Sequence, residues 1–165
     1  MSKAMMIAVA LLGFSSTAFA QELPKEGPIN SSATFHSFTK SVTAETLIQI
    51  SYDAKGGFLA DKPGGFMDRV TARCVGGIRA VVQGKIEHEY NMCEFTDMAG
   101  DKFYSKLEHV SSEPDKVVNK ALILGGTGKY KGITGGWEVT RRSLKPFADG
   151  ESMSVVKVTG NYKLP

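Results

Sequence analysis

His88 and Glu138 are the side chains in this 165-residue chain best suited to acid and base chemistry, and Tyr90 and Trp137 are aromatic groups beside them in sequence. A histidine exchanges protons near neutral pH. A carboxylate shut away from water can hold a proton, and aromatic rings line small-molecule pockets. These four residues therefore describe a cavity in which a proton could move or an apolar ligand could sit. Metal chemistry has weaker support. His36, His88 and His109 stand singly, with no His-x-x-x-His or His-x-His spacing, so a metal site would have to be assembled by the fold. Asp97-Met-Ala-Gly-Asp101 offers two carboxylates in a glycine turn but lacks the ligand count and distal Glu of a calcium loop. Its simpler reading is a hairpin in which Asp97 bonds its own backbone and Lys102 leads the next strand. Met92, Met98 and Met153 form no spaced series that would suggest copper. No metal and no cofactor are expected.

The segment Leu122-Ile-Leu-Gly-Gly-Thr-Gly-Lys-Tyr-Lys-Gly-Ile-Thr-Gly-Gly-Trp-Glu-Val-Thr140 sets six glycines between two apolar runs. A phosphate cradle fails on spacing: Ile123 stands five places before Gly128, where a P-loop needs glycine, and Tyr130 follows Lys129 where it needs Ser or Thr. The dinucleotide fingerprint fails as well, since Gly132 comes one place late and a strand follows instead of a helix. The glycines read as architecture. Gly125, Gly126 and Gly128 suit a tight turn, and Gly132, Gly135 and Gly136 a bent or crowded strand.

These residues need a frame, and the frame begins with an export signal. Residues 1–20 carry Lys3, an apolar stretch over 4–14 and Ala18-Phe-Ala20, the order of a signal peptide cut after Ala20. The apolar run is shorter than the roughly 18–20 residues that a membrane anchor requires. A soluble periplasmic or secreted chain is expected, with no membrane contact after cleavage. Without Lys3, the 20 basic side chains become 19 against 17 acidic ones, a formal charge of +2. So small a charge argues against a nucleic-acid partner, which needs a basic patch. Lys129 and Lys131 flank Tyr130 as a local basic spot, for which ordinary solvation is the simpler reading. In an oxidising compartment an even pair of cysteines reads as a disulfide. Cys74 and Cys93 lie 19 positions apart on segments read as one hairpin. The alternative, a catalytic thiol, has no Cys-x-x-Cys or Cys-His spacing behind it.

Alternation along the chain predicts β structure almost throughout. Residues 21–30 read as a flexible leader and 31–165 as one barrel domain. Strands are expected at 33–38, 46–52, 66–75, 78–90 with a bend at Gly84, 93–96, 102–110, 120–124, 132–143 and 153–164. Turns fall at 53–57, 61–65 and 97–101, and 111–116 reads as a polar loop. Thr46, Ile48, Ile50 and Tyr52 share one face of their strand. On 85–90, Ile86, His88 and Tyr90 are expected inward, with Glu87 and Glu89 toward solvent. Of Trp137 and Glu138 one must point inward, and composition favours Trp137. About eight short strands with Gly-rich turns suggest a sandwich or a barrel. The last strand is apolar on both faces and needs pairing at both edges, which closure supplies. The expected fold is an all-β, single eight-stranded antiparallel barrel of calycin-like shape.

The run Ile123-Leu-Gly-Gly-Thr-Gly-Lys-Tyr-Lys-Gly-Ile-Thr-Gly135 resembles the Gly-Gly-[Ser/Thr]-Gly-x-[Phe/Tyr]-x-Gly-x-x-Gly segment of allene oxide cyclases and related dirigent-type proteins. The Gly100-Asp-Lys102 strand before it and Val158-Thr-Gly-Asn-Tyr162 after it fall in that family's order, so the likeness covers about 100–164. The chain is also similar to a group of small exported bacterial proteins of unassigned function. These join a Cys…Cys hairpin to Asp-x-x-Gly-Asp-Lys and Gly-Gly-Thr-Gly-Lys-Tyr-Lys-Gly, here Cys74, Cys93, Asp97, Gly100, Asp101 and Lys102. The resemblance implies the eight-stranded barrel and no particular activity, because one barrel hosts cyclases, stereochemical guides and binders. No catalytic position of the cyclases carries over.

Two readings of function follow. The first is a non-enzymatic exported barrel that binds a small apolar ligand or a partner, with Tyr90 and Trp137 as ligand-binding groups. The second is a cyclase- or isomerase-like enzyme in which His88 or Glu138 acts in the lumen. Titratable side chains meeting at one depth would favour the enzyme. A third reading is a solidly packed barrel that acts through its surface as an oligomer.

Overall fold

The computed structural model describes residues 23–165. The export leader read at 1–20 lies outside them. Period-two alternation runs through eight strands: β1 (Glu26–Thr43), β2 (Leu47–Ala60), β3 (Val70–Val81), β4 (Ile86–Thr96), β5 (Lys102–Glu113), β6 (Lys116–Gly126), β7 (Thr134–Leu144) and β8 (Glu151–Lys163). Each strand pairs antiparallel with its neighbour in sequence, and β8 returns to pair with β1, so the sheet closes into a barrel. The expected architecture is present. Closure gives the two-sided β8 a partner on each edge, β1 from Glu26 to Phe38 and β7 from Thr134 to Leu144.

Several boundaries differ from expectation, some because a ladder overrides a local turn signal and others because a turn interrupts an apolar run. Glu26 to Asn30, read as part of a flexible leader, already pair with Lys163 to Thr159, so the barrel begins before residue 31. The glycine cluster at 53–57 is no turn but lies inside β2, hydrogen-bonded on both edges. The bent strand read at 78–90 is two strands joined through Gly84, whose φ of 90° suits glycine. The loop read at 111–116 shrinks to Pro114 and Asp115 between β5 and β6. Residues 66–69, read as strand, form part of the segment that plugs one end of the barrel.

That plug turns on Phe66 and Met67, 3% and 1% exposed. Phe66 stacks on Tyr162 with ring centroids 4.3 Å apart and lies 5.1 Å from Phe103. Its carbonyl accepts a hydrogen bond from the buried Ser31 hydroxyl. Aromatic contacts continue upward: Phe95 stacks on Phe103 at 4.5 Å and meets Trp137 edge-on at 5.6 Å. Offset and edge-on pairs are the favoured arrangements of ring quadrupoles. One end of the barrel is therefore corked, and the core is concentrated there.

The glycine-rich segment fastens the β6–β7 connection to the β4–β5 turn. Gly128 opens a single 3-10 turn, Gly128–Tyr130, at φ 52°, and a Cβ there would stand 1.7 Å from the Asp101 carboxylate. Lys129 then places its ammonium 2.6 Å from Asp97, and the Tyr130 hydroxyl donates to the same carboxylate at 3.2 Å. Asp97 also accepts from the backbone N–H groups of Ala99 and Asp101, as its turn reading required. Gly132 lies in the connection instead of the following strand. Glycine serves the barrel interior too, at Gly160, where a Cβ would stand 2.7 Å from the Trp137 Cβ.

Cys74 and Cys93 face each other in the β3–β4 register and form a disulfide with Cα atoms 4.0 Å apart. By loop length, 19 residues of separation make the bridge worth roughly 3 kcal/mol in the chain-entropy view. Replacing both cysteines with alanine is expected to lower unfolding free energy by about that amount. Urea denaturation of the two proteins measures it, with non-reducing mass spectrometry confirming the bridge in the parent. Asp97 generates a second prediction. Burial works to raise its carboxyl, but the Lys129 ammonium and the two backbone N–H donors outweigh burial and hold it below its ordinary 3.8. A depressed folded-state value contributes stability that is complete above the unfolded value and lost as pH falls through the folded one. Thermal melts of the parent should therefore fall faster below pH 4 than those of Asp97→Asn, which should be less stable at neutral pH.

Candidate functional site

Above the aromatic plug the lumen stays open, as a cavity of about 580 Å³. Its floor is Phe35, Phe58, Phe95, Trp137, Val156 and Val158. Midway up, four strands deliver five polar side chains to one depth: Tyr52 from β2, Glu89 and Asn91 from β4, Asn119 from β6 and Arg141 from β7. His109 on β5 joins them through Asn119.

Glu89 is the centre of the group and is wholly buried. Arg141 donates from Nη1 to its Oε1 at 2.5 Å, Tyr52 donates its hydroxyl to the same oxygen at 3.2 Å, and Asn119 donates to Oε2 at 3.1 Å. Asn91 donates in turn to the Tyr52 oxygen at 2.9 Å. His109 Nδ1 lies 3.1 Å from Asn119 Oδ1; because Asn119 presents its NH2 to Glu89, the ring nitrogen is the donor. A buried carboxylate is tolerated only when paired and hydrogen-bonded, and both conditions are met. The Arg141 side chain is 20% exposed and reaches the lumen from the open side. The Tyr52 phenol is pushed far up by burial first and by the Glu89 charge second, so it keeps its proton at any ordinary pH.

The acid and base candidates read from the sequence lie elsewhere. His88 and Tyr90 are exposed on the outer face of β4, their rings 5.8 Å apart, and Glu89 points inward between them, which reverses the expected orientation. The cause is a bulge. Arg79 pairs with His88 and Ala80 with Ile86, so one extra residue enters β4 and shifts the alternation beyond Ile86. Counting back in twos from Cys93 instead gives Asn91 and Glu89 as inward residues, and that signal was available in the sequence. Trp137 points inward at 5% exposure, as composition favoured, and Glu138 is exposed outside. The structure therefore brings Trp137 to the cavity and leaves His88, Tyr90 and Glu138 outside it. Tyr52 was correctly placed on the face of Ile48 and Ile50. Nothing local marks Asn119 or Arg141, because their importance comes from meeting Glu89 across the barrel.

Among the described residues, no three His, Cys, Asp or Glu side chains are grouped so as to hold a metal ion. The arrangement can instead seat a molecule on an apolar floor beneath a fixed polar belt. Both Glu89 oxygens are engaged, whereas Arg141 has donors beyond the one given to Glu89.

No family model matches the chain, and no curated protein matches it. Among solved structures it is similar to a pterocarpan synthase dirigent protein, with a TM-score of 0.50 and 14% sequence identity over 84% of this chain and 86% of that one. The likeness is one of fold, a dirigent-like barrel.

Removing one member of a buried ion pair strands the other, at a typical cost of about 3 kcal/mol, while replacing both with apolar groups is often near neutral. Arg141→Met should accordingly lose about 3 kcal/mol of stability, and Glu89→Leu/Arg141→Met should recover most of it. Urea titrations of the two single variants and the double variant measure the coupling. Simple addition of the two single losses would show that the residues do not act as a pair.

Proposed function

We propose that this protein is a non-enzymatic binder of a small, largely apolar molecule that enters the open end of the barrel and rests above the aromatic plug, and that it works outside the reducing cytosol. The observation that carries the reading is the cavity of about 580 Å³, large enough for a drug-sized ligand and lined by apolar groups around a few fixed polar ones. An eight-stranded barrel is just wide enough either to fill with side chains or to hold one such ligand. The fold likeness to a dirigent protein supports a binding or guiding role. The disulfide supports an oxidising compartment, as does the leader read in the sequence. Among the described residues no helix is long and apolar enough to cross a membrane.

The convergence of Glu89, Tyr52 and Arg141 favours a second reading, a cyclase or isomerase that steadies charge in its lumen. Binding ranks first because of how those groups are held. General acid–base catalysis needs a group free to exchange a proton within reach of the substrate. Glu89 has both oxygens occupied, Tyr52 keeps its proton, and His88 and Glu138 face outward.

Trp137 is the single tryptophan of the chain and lines the cavity, which makes it an internal reporter. The uncharged probe N-phenyl-1-naphthylamine is expected to brighten on binding while Trp137 emission falls. Val139→Phe, which narrows the same space, should weaken that binding about tenfold, or roughly 1.4 kcal/mol. Equal binding by the parent and by Val139→Phe would place the probe on the outer surface and overturn the proposal.

A further inference from the structure

The upper lumen, between the polar belt and the mouth, has two unlike walls. On one side β1, β8 and β7 present serines inward: Ser37 and Ser41, Ser152 and Ser154, and Ser143. On the other side β2, β3 and β4 present Ile48, Ile50, Ile78 and Ile86. The boundary is sharp at β1 and β2, where Ser41 stands opposite Ile50 and Thr43 opposite Ile48. A rim shaped only by contact with water would be polar all round. Here half of it is aliphatic at the same height.

The hydroxyl wall has a regular geometry. Ser37 pairs with Ser152 across β1 and β8, and Ser143 pairs with Ser154 across β7 and β8. Such cross-strand partners have Cβ atoms roughly 5 Å apart, and successive inward residues on one strand lie about 7 Å apart. One ring-sized group could therefore bridge several of these hydroxyls. Thr39 donates its hydroxyl to the Gly150 carbonyl, whereas the hydroxyls of these five serines make no hydrogen bond to the described residues and remain open to a ligand. The charge below them is already matched, because Glu89 and Arg141 neutralise each other. The lumen offers directional hydrogen bonds along one edge, and the one further carboxylate at its mouth, Glu151, lies 3.1 Å from His36 Nε2.

We propose, building on the lumen-binding reading above, that the ligand class is a neutral amphiphile. Its apolar end rests on the aromatic floor and its hydroxylated, sugar-like end lies against the serines of β1, β8 and β7. The isoleucine wall covers the apolar face that such a ring also carries.

Four probes with one eight-carbon chain separate the possibilities: n-octyl β-glucoside below its micelle-forming concentration, 1-octanol, octanoate and octyltrimethylammonium. Binding is read by Trp137 fluorescence and by native mass spectrometry of the full domain. The glucoside is expected to bind about tenfold more tightly than 1-octanol, because its extra hydroxyls can make two or three further hydrogen bonds whose gain is partly offset by ordering the head group. Ser37→Ala/Ser154→Ala should erase that advantage and leave 1-octanol binding unchanged, a result that also shows the barrel to be intact. Equal affinity of the glucoside and 1-octanol would overturn this inference and leave the lumen-binding reading standing. Tightest binding by octanoate would overturn it in favour of Arg141 as a head-group site. Binding of none of the four would overturn both.

Discussion

Pairing of β8 with β1 is the constraint on which the rest of the molecule depends. The pairing leaves no free edge, and it turns the inward residue of every strand toward one common space. Without it Glu89, Tyr52, Asn119 and Arg141 would be isolated side chains on one face of an open sheet. With it they come within hydrogen-bond distance across the barrel. Closure also divides the interior by side-chain size. Where the inward residues are Phe66, Phe103, Tyr130 and Tyr162 the space is filled, and where they are Ser37, Ala54, Ala80 and Ser154 it stays open.

A second constraint follows from the first. A buried carboxylate must be paired and hydrogen-bonded, and Glu89, wholly buried, draws its charge partner and donors from other strands. Four of the eight strands hold the Glu89 cluster directly, and β5 adds His109. Such a network ties distant strands at one depth and fixes where polar atoms face the lumen. Donors already committed to Glu89 are suited to orienting a molecule more than to moving its protons, which is the physical basis of the proposed binding role. The Asp97 corner performs a similar task outside the lumen, joining the β4–β5 turn to the β6–β7 connection through Lys129 and Tyr130.

Much of this was legible in residues whose meaning is local. The glycine-rich run marked a turn that no nucleotide motif fits, Asp97 marked its own hairpin, and the two cysteines marked opposed strands. The two apolar faces of the last strand pointed to closure. The reading failed at β4, where the alternation was counted from Ile86 through a bulge that only the pairing with β3 reveals. That one extra residue moved Glu89 inward and His88 outward, and so replaced the expected acid and base with a different set of residues. The turn expected at 53–57 failed for a related reason: ladders on both edges of β2 hold the glycines extended.

By itself the sequence determined the fold class, the closed sheet and the cysteine pairing, and favoured Trp137 over Glu138 as the inward residue, because strand period, turn chemistry and composition act over a few residues. Only the tertiary structure decided which polar side chains share the lumen. That choice depends on register, bulges and the diameter of a closed barrel, quantities set by contacts between residues as far apart as Glu89 and Arg141.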